Sequence, residues 1–144
     1  MIERLFSDPA MRVLGKALDA SSLTQETMAH NLANVDTPGF KRSEVLFQDQ
    51  LSAALKATAD SASGLNGFRT DPRHIPIGEP PALGDVTPRV VVRAETSLRP
   101  DGNNVDLDSE MTRLAQNTLL YPTLAQLVRT KLTWLRSAIN EGRK

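Results

Sequence analysis

Residues 107–139 read LDSEMTRLAQNTLLYPTLAQLVRTKLTWLRSAI. Leu107, Met111, Leu114, Thr118, Tyr121, Ala125, Val128, Leu132, Leu135 and Ile139 follow one another at alternating spacings of four and three. Nine of these ten are apolar, where a chain of 40% hydrophobic residues predicts about four. A period of 3.5 places them on one stripe of a long helix that packs against another helix. Asp106 and Asp108 put acid at its start, and Arg136, Arg143 and Lys144 lie toward its end, both as the helix dipole favours. Leu120, Leu124, Leu127 and Trp134 add a second apolar face, so this helix requires more than one neighbour. Pro122 costs about 3 kcal/mol in a helix interior and predicts either a kink or a meeting of two helices, although the stripe keeps its phase across it.

The other end of the chain carries a matching pattern. Asp8-Pro9 predicts a helix start, with Asp capping free amides and Pro at the first helical position. Met11, Leu14, Leu18, Ser21, Gln25, Met28, Leu32 and Val35 then recur at heptad spacing, with Ser21 and Gln25 interrupting the stripe at its centre. Ala10, Val13, Ala17 and Ala20 form a second stripe of mostly small residues that admits a close neighbour. Each helix would be roughly 40 Å long at 1.5 Å per residue. The fold class expected is mainly α: long N- and C-terminal helices, paired as an antiparallel coiled coil, around a short irregular middle segment containing a little β. In domain terms, residues 1–42 and 104–144 form the paired helices and residues 43–103 the middle segment.

Within that middle segment, Ser43 to Ala57 predicts a shorter helix, its buried stripe made by Phe47, Leu51 and Leu55. Residues 64–88 hold four Gly and five Pro, a density that breaks regular structure and predicts an irregular loop. Arg89 to Thr96, with Val90-Val91-Val92, reads as a strand without an evident hairpin partner, and Pro100-Asp101-Gly102-Asn103 reads as a turn.

The first helix closes on Asn31-Leu32-Ala33-Asn34-Val35-Asp36-Thr37-Pro38-Gly39-Phe40-Lys41. Asn34 is suited to end a helix in the left-handed conformation. Thr37 is pushed toward extended geometry by the proline after it. Pro38-Gly39 fits the centre of a type II turn, in which Gly supplies the positive φ. Phe40 follows as an apolar anchor.

As a string, this segment resembles the signature of the flagellar rod and hook proteins, Asn-x-Ala-Asn-x-x-Thr-Pro-Gly-aromatic. Asn31, Ala33, Asn34, Thr37, Pro38, Gly39 and Phe40 occupy every fixed position. The terminal helices and the Asn104-Val105-Asp106-Leu107-Asp108 segment fit the same family, and His74-Ile75-Pro76 resembles a feature of its proximal rod members. The resemblance covers roughly the first and last thirds of the chain. It implies a structural subunit, not an enzyme, that assembles helically, transmits torque and encloses the export channel. The terminal helices would form the inner tube and the middle segment would face outward. The partners implied are other rod subunits, copies of the chain itself, and a rod-base adaptor, export gate or membrane ring. The location implied is the periplasmic rod of the basal body, reached through the flagellar type III export channel without cleavage. Asn31 and Asn34 would bond backbone in the turn or across a subunit boundary, and Phe40 would dock on a neighbour. Packing between helices and subunits would fall to Leu14, Leu18, Met28, Leu32, Met111, Leu114, Tyr121, Val128, Leu132, Leu135 and Ile139. The alternatives are a cytoplasmic coiled-coil adaptor or export chaperone, or a different rod subunit of the same family.

Bulk properties exclude several other classes. The 144 residues carry 17 basic and 17 acidic side chains, so no net field steers the chain to nucleic acid or an anionic membrane. With no cysteine, disulfides and thiol chemistry are ruled out and zinc is disfavoured. Met1 to Leu5 already carries Glu3 and Arg4, unlike a signal peptide. His30 falls off the main stripe and His74 in the Pro-rich segment, with no nucleophilic Ser brought to either. Asp101 to Glu110 fails as a calcium loop, because Val105 takes a ligand position and the required Gly is missing. No phosphate or dinucleotide fingerprint is present, so no catalytic residue, cofactor, metal or small-molecule substrate is expected.

Overall fold

The computed structural model describes residues 8–62, 86–94 and 99–140. Among them are three helices and a two-stranded sheet, in the order α1 (Pro9–Ala33), β1 (Ser43–Leu46), α2 (Gln48–Ala62), β2 (Arg89–Val92) and α3 (Leu107–Ile139). The irregular loop expected over 64–88 lies outside the described residues up to position 85, as do His74, Arg143 and Lys144.

The two long helices pack together and run antiparallel. Asp8 meets Lys131, Ser21 meets Asn117 and Asn31 meets Glu110, so positions rise along α1 as they fall along α3. The start of α1 is as expected: Asp8 accepts a bond from the Ala10 amide at 3.0 Å, with Pro9 at the first helical position. Asp106 caps α3 in the same way, accepting from the amides of Asp108 and Ser109. Pro122 neither ends nor divides α3, which runs as one helix over 33 residues, about 50 Å. Lys131 stands level with Asp8, so the last turns of α3 extend past the start of α1.

The side of α3 that meets α1 is offset from the expected stripe. Glu110 and Asn117 are buried, and Leu114, Leu124, Val128, Lys131 and Leu135 are half-buried. Leu107, Met111, Leu132 and Ile139 lie one position along and stay exposed. Two overlapping heptad stripes run along this helix. Side chains that hydrogen-bond across to α1 select the stripe carrying Glu110 and Asn117.

The middle segment departs from expectation at Ser43, which begins a strand instead of a helix. β1 pairs antiparallel with β2, Ser43 opposite Val92 and Leu46 opposite Arg89, and so supplies the hairpin partner that was not evident in the sequence. β2 ends at Val92, short of the expected Thr96. Only after the strand does α2 begin, and Phe47 and Ala54 turn inward while Leu55 stays exposed. Phe47, Ala54 and Val86 close over Ala20 of α1, with Ala17, Val45 and Leu51 packed around them. The small stripe on α1 therefore receives the middle segment, and the Lys16 ammonium adds a bond to the Val86 carbonyl.

Five apolar side chains and six polar ones are buried among the described residues. Burial of so few apolar groups contributes little to specificity. The hydrogen bonds of the polar group decide how the elements sit.

Candidate functional site

No buried side-chain nitrogen or oxygen lacks a partner among the described residues, and no three metal-ligating side chains gather there. The polar groups that matter lie where α1 ends, β1 begins and α3 starts. Two turns from distant parts of the chain meet at that junction.

The first turn contains the signature. Asn34 ends α1 at φ −108°, not in the left-handed region expected of it. Its own amide bonds back to Asn31 and Leu32, its side-chain amide donates to the His30 carbonyl at 2.8 Å, and its Oδ1 accepts from the Thr37 hydroxyl. These bonds hold the residue on the ordinary side of the φ map. The positive φ falls instead at Gly39, +73°, inside a turn closed by the Phe40 amide on the Thr37 carbonyl, as the Pro-Gly pair requires. The Phe40 ring sits half-buried with its centroid 5.5 Å from that of His30.

The second turn is Arg99 to Gly102, closed by the Gly102 amide on the Arg99 carbonyl and so one residue earlier than read from the sequence. Gly102 supplies the positive φ, +77°, that this turn requires, and lies against the first turn, where even a Cβ would make only ordinary contact, 3.9 Å from the Gly39 Cα. The Gly39 amide donates to the Asp101 carbonyl at 2.9 Å and the Lys41 ammonium to the Gly102 carbonyl at 2.8 Å. Arg99 ties Val35 to Asp101, donating to the carbonyl of one and the carboxylate of the other.

Asn103 is the centre of the junction and is fully buried. Its side-chain amide lies 2.9 Å from the carbonyls of Asn34, Val35 and Thr37, while its Oδ1 accepts from the Val105 amide at 2.7 Å. One side chain thus shares its two amide hydrogens among three carbonyls of the turn that follows α1 and fixes the chain entering α3. Asn104 does the same for the sheet. It accepts from the Arg42 amide and donates to the Arg93 carbonyl, next to the bond from the Arg93 amide to the Arg42 carbonyl.

Asn31 joins the helices to the strand. Its Oδ1 accepts from the Ser43 amide and its Nδ2 donates to the Ser43 carbonyl, so the side chain imitates a strand neighbour. Its remaining amide hydrogen goes to Glu110 at 3.0 Å. Glu110, 2% exposed, also accepts from the Arg42 guanidinium at 2.6 Å. Further along, the Ser21 hydroxyl donates to the Asn117 Oδ1 at 2.7 Å and the Asn117 amide returns a bond to the Ser21 carbonyl.

Charge in the junction follows from these contacts. Burial works against the charged form of Arg42, but the hydrogen bond and charge of Glu110, with Glu44 behind them, raise its pKa. Burial likewise opposes ionised Glu44. The bond from Arg93 and the charges of Arg42 and Arg93 outweigh it and hold Glu44 below the ordinary carboxylate value. Asp101 is lowered by the Asn103 amide first and then by Arg99, and Asp8 by Lys131 and then by the Ala10 amide.

Of the residues picked from the sequence, Asn31 is buried and Asn34 half-buried, and both bond within their own chain. Ala33, Thr37, Pro38 and Gly39 lie at the surface of the turn. Leu14, Leu18, Met28, Leu32, Leu114, Val128 and Leu135 are half-buried along the helix pair. Met111, Tyr121, Leu132 and Ile139 are exposed, Ile139 by 71%. The sequence pointed to Asn103 only as a turn residue and to Asn104 only within the Asn104–Asp108 segment, and Arg42, Glu110 and Asn117 were not picked out. One signal was available: Glu110 and Asn117 are seven apart, as polar residues on a facing stripe should be.

The profile of the family described as flagella basal body rod protein matches residues 11–41, from the first stripe of α1 through the turn. Similarity to individual proteins extends much further. The flagellar basal body rod protein FlgB of Bacillus subtilis is 33% identical over 130 residues, spanning 90% of this chain and 92% of that protein. FlgB of Yersinia enterocolitica is 32% identical over 144 residues, 99% of this chain and the whole of the other. FlgB of Borrelia hermsii is 41% identical over 104 residues, 72% and 76% of the two chains.

Proposed function

The chain belongs to the flagella basal body rod protein family, and from that premise we propose that it is a proximal rod subunit whose work is mechanical. It is a structural component of the basal body rod and assembles with other rod components. Stacked helically with copies of itself and with related subunits, it passes torque from the membrane-embedded ring toward the hook. The same stacking encloses the channel through which later subunits travel. Its partners at the base are the ring, the export gate or an adaptor between them. It reaches the periplasm through that export route, uncleaved.

One observation supports this reading above the others. The junction locks the two helices in register through buried polar contacts, while a long apolar stripe on α3 is left uncovered. Along it Met111, Leu132 and Ile139 are 51%, 47% and 71% exposed, and Leu119 and Trp134, on other sides of α3, are 72% and 65% exposed. An isolated soluble protein rarely shows such a face, and it marks an interaction surface. A head-to-tail contact that does not close on itself turns such a surface into a helical tube. No helix among the described residues is long and apolar enough to cross a membrane.

Fractionation tests the reading. A tagged form that supports swimming is expected to remain with basal bodies after detergent and salt washing. Recovery of the functional protein in the cytosol alone would contradict it and favour the adaptor or chaperone.

A further inference from the structure

The helix pair carries two charged edges that nothing inside the described residues neutralises. On α3, Arg129 and Arg136 stand two turns apart on the exposed side, with Leu132 between them, and neither forms an ion pair among the described residues. They contrast with Lys131, which turns inward and is paired with Asp8 at 2.8 Å. No acidic residue occurs between Met111 and Asn140, so this edge of α3 is uniformly basic. On α1, Asp19 and Glu26 are likewise exposed, two turns apart, unpaired among the described residues, and separated by the small Ser22. The two patterns match term for term: Arg-Leu-Arg at i, i+3, i+7 on one helix, and Asp-Ser-Glu at i, i+3, i+7 on the other.

We propose that the Arg129–Leu132–Arg136 edge of α3 docks on the Asp19–Ser22–Glu26 edge of α1 in a second copy of this chain. This rests on the rod-subunit reading and names the contact that reading leaves open. α1 and α3 are antiparallel within one copy, and copies related by rotation and translation along a common axis present α3 antiparallel to the next copy's α1. Arg129 then faces Glu26 and Arg136 faces Asp19, with Leu132 close to the level of Ser22, where a small side chain leaves it room. Both ion pairs form at one offset, because each spacing is seven. Within a chain Lys131 is level with Asp8 and Asn117 with Ser21. The proposed pairing therefore shifts neighbouring copies by about sixteen residues, or about 24 Å along the helix axis. The contact is heterologous: each copy offers its α3 edge to one neighbour and its α1 edge to another, so it extends without closing. Exposed ion pairs add little affinity singly, and their contribution here is to choose the register at which the apolar stripe is covered.

Charge reversal tests it in cells carrying each form as the only copy. The variants are Asp19→Arg with Glu26→Arg, Arg129→Glu with Arg136→Glu, and all four together. Each pair alone replaces attraction by repulsion and is expected to lower the amount of subunit in isolated basal bodies about tenfold. The fourfold variant restores opposite charges between copies and is expected to return to the wild-type amount. Normal incorporation of both paired variants would overturn the proposal. A fourfold variant as poor as the paired ones would overturn it too, since the charges would then meet a different subunit. Absence of the unaltered protein from basal bodies would instead sink the rod-subunit reading beneath it.

Discussion

Asn103 is the residue on which most of the junction converges. A single carboxamide serves the carbonyls of Asn34, Val35 and Thr37 and the amide of Val105. Replacing it by alanine leaves the buried Val105 amide without a partner, at about 1–3 kcal/mol, and takes one donor from each of the three carbonyls, which keep bonds from Thr37, Arg99 and Phe40. Asn103→Ala is expected to lower stability by about 1–3 kcal/mol in denaturant unfolding, and an effect near zero would show that the turns hold each other without it. The carboxylates give a second prediction at this scale. Asp8, Glu44 and Asp101 are all held below their ordinary values in the folded chain. A carboxylate depressed on folding stabilises the fold fully above its unfolded pKa and loses that contribution as pH falls through the folded value. Melting temperature is therefore expected to be level near neutrality and to fall below about pH 4.5. Asp101→Asn should shrink that fall; a chain equally stable at pH 3 and pH 7 would contradict the charge assignments. None of this was evident from position alone. The Pro-Gly turn could be read at Gly39 because proline and glycine restrict their own backbone angles. Asn34 was misread because its conformation depends on bonds to His30 and Thr37, which propensity does not contain.

At the scale of elements, the two long helices were legible because a 3.5-residue period over many turns has no other cheap structure. Their boundaries were legible at Asp8-Pro9 and Asp106, where caps are local chemistry. The middle segment was not, because Ser43 becomes a strand through Asn31 and through β2, both distant in sequence. The facing side of α3 was misplaced for a related reason: its apolar count favours the stripe that stays exposed, while Glu110 and Asn117 on the other stripe find partners only across the helix pair. Pro122 belongs to this scale as well. It sits on the exposed side of an unbroken α3 and removes one hydrogen bond from it. Pro122→Ala is expected to raise stability, by up to about 3 kcal/mol, measured by thermal unfolding. A loss of stability would contradict this reading of Pro122 as a cost to α3.

The whole molecule is a pair of long helices pinned at one end and incompletely covered along its length. Its apolar core is small, its net charge is zero, and large side chains such as Leu119, Trp134 and Ile139 face outward. The proposed reading has such a chain gain further stability from its neighbours in the rod, which cover the apolar side chains a single copy leaves exposed. The apolar surplus was readable from the sequence as a second face on the C-terminal helix. The junction that keeps the pair in register while leaving parts of both faces open was not. The most direct measurement is to delete the gene and examine the basal bodies by electron microscopy, with the gene returned in trans as the control. The account predicts membrane rings without rods or hooks, restored by the returned gene. Intact rods with rotating filaments in the deletion strain would contradict it.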